Sequence, residues 1–141
     1  GERGGAHYSE AAVRLLEAIE NDRGTIQVVN VPNRGAVPFL QPEDVAETRC
    51  RVTKDGPLPV PLKKDPGAHI KGLMQAVKAY EKLAARAALT GCYTDAVSAL
   101  LTNPLTQDYP GAKSALDEML AANREYLPQF SPYFEGVSGQ P

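Results

Sequence analysis

The sequence predicts an α+β fold: a small, mainly antiparallel sheet packed by about four helices. Two patterns carry that prediction. Alternating and β-branched stretches cluster between residues 25 and 62, while apolar spacing of three and four residues fills 9–19 and 66–126. The strands also lie close together in the chain, which suits antiparallel pairing within one sheet. With 141 residues, 43% of them hydrophobic, the chain is long enough to bury one core, and its length favours a single domain.

Ser9 is a fitting N-cap for a first helix. In it Val13, Leu16 and Ile19, flanked by Ala12 and Leu15, make one apolar face, and Gly24 supplies the stop. Thr25–Asn30 reads as a strand with Ile26 and Val28 on one face. Residues 31–44 hold Pro32, Pro38 and Pro42 around an Asn33-Arg34-Gly35 turn, and read as a loop. The next strand alternates cleanly. Thr48, Cys50 and Val52 face one way and Glu47, Arg49, Arg51 and Thr53 the other, up to an Asp55-Gly56 turn. Pro57, Pro59 and Pro61 then alternate with Leu58, Val60 and Leu62. Proline lacks an amide donor, so this segment belongs at a sheet edge or on a surface crossing.

Asp65-Pro66 predicts the start of a long helix. Ile70, Leu73, Met74, Val77, Tyr80, Ala84 and Ala87 keep helical spacing along it until Thr90-Gly91. Thr94 can cap a short helix that carries Val97, Leu100 and Leu101 and stops before Asn103-Pro104. A last helix near 111–126 sets Leu116, Met119 and Leu120 on one face. The domain therefore spans 1–127. Residues 128–141, rich in Pro, Gly, Ser and Gln, read as a loose tail in which Phe130, Tyr133 and Phe134 are able to dock.

Several function classes are excluded at this level. A formal net charge of −2 gives no electrostatic footprint for nucleic acid or an anionic membrane. The apolar runs are too short to span a bilayer, and the polar, glycine-rich stretch Gly1–His7 does not read as a signal peptide. Cys50 and Cys92 have neither metal-type nor redox-type spacing, and a reducing cytoplasm is the expected compartment. His7 and His69 are the only histidines. His69 reads as a surface or packing residue. His7, beside Tyr8, is better placed for function, with a structural role at the helix start as the alternative. Glu10, Glu17, Glu20, Asp117 and Glu118 fall on solvated faces and caps, with no pairing that would shift a pKa. No Gly-x-Ser-x-Gly turn presents a serine, and Gly4-Gly5 is only a part of a phosphate-cradling loop. The residues alone describe an α+β domain without a complete active site.

Five segments, in order, carry a resemblance. They are Arg3–Ala12 (RGGAHYSEAA), Ile26–Gly35 (IQVVNVPNRG), Val77–Glu81 (VKAYE), Ala99–Leu105 (ALLTNPL) and Leu116–Tyr126 (LDEMLAANREY). Together they resemble the C-terminal part of glycoside hydrolase family 4, in its 6-phospho-β-glucosidase branch. The resemblance implies a C-terminal α+β domain like that of lactate and malate dehydrogenases, joined in the parent enzyme to an N-terminal Rossmann domain. It also implies NAD and Mn2+ as the parent's cofactors and a phosphorylated disaccharide as its substrate. Family members hydrolyse by oxidation at C3 and elimination of the aglycone, rather than by two-carboxylate displacement. The nucleotide loop, the metal ligands and the base tyrosine are expected upstream of Gly1, so no catalytic, cofactor-binding or metal-binding residue is assigned in this chain. His7 and Tyr8 are expected to face the sugar. Arg3 is expected to reach toward its phosphate, with a local cap or ion pair as the structural alternative.

Two readings follow. In the first, the chain is the substrate and oligomerisation domain of such an enzyme and is inactive alone. In the second, it is a free-standing binding or assembly module with the same fold, and a 6-phospho-α-glucosidase or α-galactosidase specificity is the further alternative. A homo-oligomer is expected in either case.

Overall fold

The computed structural model describes residues 8–106 and 108–137, which divide between two units, Gly1–Asp65 and Pro66–Pro141, rather than sharing one core. The described residues form five α-helices and a three-stranded sheet. The α+β class and the antiparallel sheet are as the sequence predicts.

In the first unit, helix α1 (Tyr8–Glu20) precedes β1 (Thr25–Pro32), β2 (Val45–Thr53) and β3 (Gly56–Pro59), which lie side by side in chain order. Both ladders are antiparallel; Val28 pairs with Arg49, and Arg51 with Leu58. The alternation predicted for β2 holds: Ala46, Cys50 and Val52 are buried while Val45, Glu47, Arg49 and Arg51 are exposed. The prolines behave as their chemistry requires, since Pro57 and Pro59 sit in β3, an edge strand.

Three details of α1 differ from expectation, the first being that Ser9 lies inside the helix behind Tyr8 and is not its N-cap. Its stop is Asp22, not Gly24. Asp22 takes the left-handed conformation, φ 48°, its amide donates to Ile19, and the amide of Arg23 donates back to Ala18 at 3.0 Å. An aspartate suits that position here because its Oδ1 also accepts the Lys54 amide at 3.0 Å, tying the helix end to the β2–β3 turn. Nor do Val13 and Leu16 share the covered face. They are 62% and 67% exposed, and Ala18, with the half-buried Leu15 and Ile19, faces inward instead.

The connection 33–44 is organised by one side chain. Asn33 is fully buried, and its Nδ2 donates to the carbonyls of Val37, Leu40 and Gln41 at 3.0–3.1 Å. Its Oδ1 accepts the Val37 amide at 2.7 Å. The Asn33 amide meanwhile donates to Asp44, which closes the loop at the mouth of β1 and β2. Arg34 and Gly35 turn the chain here with φ of 49° and 83°.

The second unit holds α2 (Ala68–Thr90), α3 (Tyr93–Thr102), α4 (Tyr109–Ala122), the 3₁₀ turns Arg124–Tyr126 and Pro128–Phe130, and α5 (Ser131–Val137). Three boundaries shift. Helix α2 starts at Ala68, behind Gly67, without a side-chain cap from Asp65. Helix α3 starts at Tyr93, behind Cys92, so Thr94 lies inside it and supplies no cap. Helix α4 begins at Tyr109 because Asp108 caps it, its Oδ1 accepting from the Gly111 amide at 2.7 Å. Ala112, Leu116 and Leu120 line its buried stripe, while Met119 is left exposed.

The larger correction concerns the tail. Residues 128–137 are helical and packed: Phe130 and Phe134 are buried in one cluster with Ala87, Val97, Leu116 and Leu120. Residues 138–141 lie outside the described residues. Glycine and proline content had argued for looseness, but three aromatic side chains supply enough apolar surface to hold ten residues in place. The packing also explains Gly91. It caps α2 with φ 70°, and a Cβ there would lie 1.7 Å from the Gln129 carbonyl oxygen. The Gln129 side chain in turn donates to the Ala88 carbonyl at 2.7 Å, satisfying one of the last acceptors of α2.

Replacing Asn33 with Ala leaves three carbonyls and one amide without their partner, and should cost the first unit about 3 kcal/mol in urea unfolding. In the second unit, Gly91→Ala should cost about 2 kcal/mol or more. Gly91→Asn, which tolerates the backbone angle, should be no better, because the Gln129 carbonyl remains in the way. A full rescue by Asn would refute the close-packing explanation.

Candidate functional site

Of the residues expected to face a sugar, Arg3 and His7 lie outside the described residues. Tyr8 is described. It opens α1 and is 77% exposed, so its ring is available to a ligand or a covering surface. Beside it, α1 and β1 enclose an open concavity of about 900 Å³. Glu10, Arg14 and Glu17 form the polar side of that space, and Thr25–Val28 form its floor. The polar stripe is internally satisfied. Arg14 pairs with Glu10, Arg23 pairs with Glu17, and Gln27 donates to the Arg14 carbonyl at 3.1 Å. Such exposed pairs contribute little energy, but they leave α1 with one definite polar edge.

A second constellation was not legible in the sequence. Asp117 on α4 accepts hydrogen bonds at one carboxylate oxygen, Oδ1, from Tyr93 of α3 at 2.6 Å and Tyr133 of α5 at 2.8 Å. Lys113 donates to its other oxygen, Oδ2, at 2.6 Å. The two tyrosine rings stack with centroids 4.6 Å apart. Lys113 and the Tyr93 hydroxyl, with Tyr133, hold the Asp117 carboxyl down at about 2. Burial, then the neighbouring carboxylate, pushes Tyr133 up to about 12 and raises Tyr93 as well. This corrects the expectation that Asp117 lies on a plain solvated face.

The chemistry of this group follows from its saturation. A carboxylate with three donors is a poor base, and tyrosines raised this far hold their protons. The cluster is therefore a clasp between three helices, not a proton-transfer set. Its only local signal is the four-residue spacing of Lys113 and Asp117. The tyrosines come from distant segments that no periodicity joins.

Other candidates are accounted for. His69 is exposed in the first turn of α2. Among the described residues, no three His, Cys, Asp or Glu side chains gather as a metal-holding group. Cys50 is fully buried, and burial raises its thiol, so it does not supply a thiolate. No helix among the described residues is long and apolar enough to cross a membrane.

Among the described residues the start of α1 is exposed, and a small antiparallel sheet is joined to a set of helices. The family model for the C-terminal domain of family 4 glycosyl hydrolases matches residues 1–106, and the chain belongs to that family. A probable 6-phospho-β-glucosidase of Bacillus subtilis is 44% identical over 128 residues, 91% of this chain but 29% of the relative. The solved 6-phospho-β-glucosidase of Thermotoga maritima with manganese, NAD+ and glucose-6-phosphate superposes with a TM-score of 0.75 at 38% identity. That match covers 89% of this chain and 30% of the other. A 6-phospho-α-glucosidase from gut microorganisms, solved with NAD and glucose-6-phosphate, gives a TM-score of 0.81 at 31% identity, covering 89% of this chain and 28% of the other. The chain thus spans about three-tenths of the length of these relatives.

The depressed Asp117 fixes the sign of a pH effect. Its carboxyl protonates near 4 when unfolded and near 2 when folded, so its stabilisation is full above about pH 4 and is lost as pH falls from 4 to 2. Carboxyl NMR titration should place Asp117 near 2. In the double variant Tyr93→Phe, Tyr133→Phe it should rise toward the ordinary carboxylate range. An unmoved titration would show that the tyrosines are spectators.

Proposed function

We propose that this chain is the C-terminal substrate-binding and oligomerisation domain of a 6-phospho-β-glucosidase. The enzyme hydrolyses 6-phospho-β-glucosides by NAD-dependent oxidation and elimination, and this domain is inactive by itself. The observation that carries the reading is the family match over residues 1–106, together with a span of only 29% of the Bacillus subtilis relative. The β-linkage rests on sequence: identity is 44% and 40% with the 6-phospho-β-glucosidases of Bacillus subtilis and Thermotoga maritima and 33% with that of Escherichia coli, against 34% with a phospho-α-glucosidase of Clostridium acetobutylicum. Backbone similarity does not separate the two specificities, because the α-specific neighbour has the higher TM-score.

In this reading Arg3, His7 and Tyr8 make one wall of the sugar pocket at the start of α1. Arg3 holds the phosphate through its planar guanidinium, and His7 and Tyr8 contact the ring hydroxyls. NAD and Mn2+, present in the solved Thermotoga maritima relative, are in this reading held by the rest of the polypeptide, and this chain's part is to bind and orient the substrate. Apolar side chains left exposed on α2, Leu73 and Leu89, support subunit contacts in a homo-oligomer. The unpaired cysteines fit a reducing, cytoplasmic setting.

The chain with NAD and Mn2+ should release no nitrophenol from 4-nitrophenyl 6-phospho-β-glucoside. A chimera of the Bacillus subtilis relative carrying this chain in place of its own homologous segment should release it, and prefer the β over the α anomer. In that chimera Arg3→Ala should raise KM about 10- to 100-fold, the range for losing a charged hydrogen bond to phosphate. Turnover by the chain alone, or an inactive chimera that folds, would overturn the reading.

A further inference from the structure

Helix α1 carries more apolar surface than its own unit covers. At 100° per residue its side chains fall into three stripes. Leu15, Ala18 and Ile19 turn inward, with Leu15 and Ile19 half-buried and Ala18 1% exposed. Glu10, Arg14 and Glu17 form the polar edge, satisfied by ion pairs with one another's neighbours. The third stripe is Tyr8, Ala12 and Leu16, with Val13 beside it, and all four are exposed. The apolar arc from Ala18 round to Leu16 spans roughly 160°, with Val13 beyond Ser9 and Glu20, whereas a helix lying on one surface needs about 100°. A 13-residue helix that buries Ala18 as its one fully covered side chain gains little from its own unit. It is also too short to persist on propensity alone. Helix α1 is built to be held from two sides.

What covers the second side follows from length and chemistry. Tyr8, Ala12, Val13 and Leu16 carry no charge and are bordered by the carboxylates Glu17 and Glu20, so the partner surface is apolar at its centre and is not a nucleic acid. A second copy is disfavoured by size: a stable dimer buries about 800 Å² per partner, far more than two turns of helix supply. A covalently joined partner needs less, because its effective concentration is high. The chain spans 29% of the Bacillus subtilis relative and matches the family's C-terminal domain, so the unmatched part of that relative is chiefly N-terminal. We infer that the Ala12–Val13–Leu16 face of α1 docks on an apolar surface of the N-terminal part of the family 4 polypeptide. This inference rests on the proposed function and adds the contact that fixes the direction of α1, and with it the place of Tyr8 at the pocket.

Hydrogen exchange read by mass spectrometry tests it on the wild-type sequence. In the free 141-residue chain the α1 amides should exchange quickly. In the chimera with the Bacillus subtilis N-terminal part they should slow by tenfold or more, about 1.4 kcal/mol of added protection. Leu16→Glu in the chimera should remove that protection, whereas Leu105→Glu, at a site 90% exposed in the other unit, should leave it intact. If the chimera hydrolyses substrate while α1 exchanges as fast as in the free chain, the docking is wrong and the proposed function stands. If the chimera is folded, inactive and unprotected, both fall. Concentration-dependent protection of α1 in the free chain, with doubling of its mass, would assign the face to a second copy and overturn the inference.

Discussion

The first unit depends on the burial of one carboxamide. Asn33 is fully buried, and its side-chain amide donates to three carbonyls and accepts one backbone amide within the 33–44 connection. A twelve-residue link without a strand or helix of its own would ordinarily leave several backbone groups buried and unpaired. Asn33 resolves this by replacing backbone partners with a single side chain, which suits asparagine because its amide both donates and accepts. Once the loop is fixed, β1 and β2 are brought into register from Pro32 and Val45 outward. Leu62 is then held by its bond to Ala36, which anchors the chain beyond β3.

The second unit solves a similar problem with charge. Three helices meet at Asp117, and the aspartate is tolerable there because Lys113, Tyr93 and Tyr133 supply donors in place of water. Around it the apolar cluster of Ala87, Val97, Leu116, Phe130 and Phe134 provides the bulk of the burial. The clasp adds direction: it admits α5 in one orientation, with Tyr133 stacked on Tyr93 and Phe134 turned edge-on beside it. Arg124 lies over the Phe134 ring, 4.9 Å from its centre, and covers the cluster from outside.

Function enters this picture through what the chain leaves open. Its ionisable side chains are mostly committed to local pairs, and its most perturbed carboxylate is saturated. Apolar side chains remain exposed on α1, with Tyr8, Val13 and Leu16, and in the second unit, with Leu73, Leu89 and Leu105.

The sequence by itself determined the class of fold and the type of nearly every element, because each rests on local rules: period-two alternation for β2, prolines at the edge for β3, three-and-four spacing with Gly91 at the end for α2. It also determined the family, because five short segments kept their order over more than a hundred residues. The tertiary structure alone decided the rest. It assigned the stop of α1 to Asp22, since only the nearby Lys54 amide makes an aspartate favourable there. It turned a glycine- and proline-rich tail into packed helix, since burial of Phe130 and Phe134 outweighs weak propensity. It gathered Tyr93, Asp117 and Tyr133 across forty residues, and it showed which apolar stripe of α1 is covered and which is bare. Local propensity is written in neighbours along the chain; which face is buried, and which charge is shared, depends on neighbours in space.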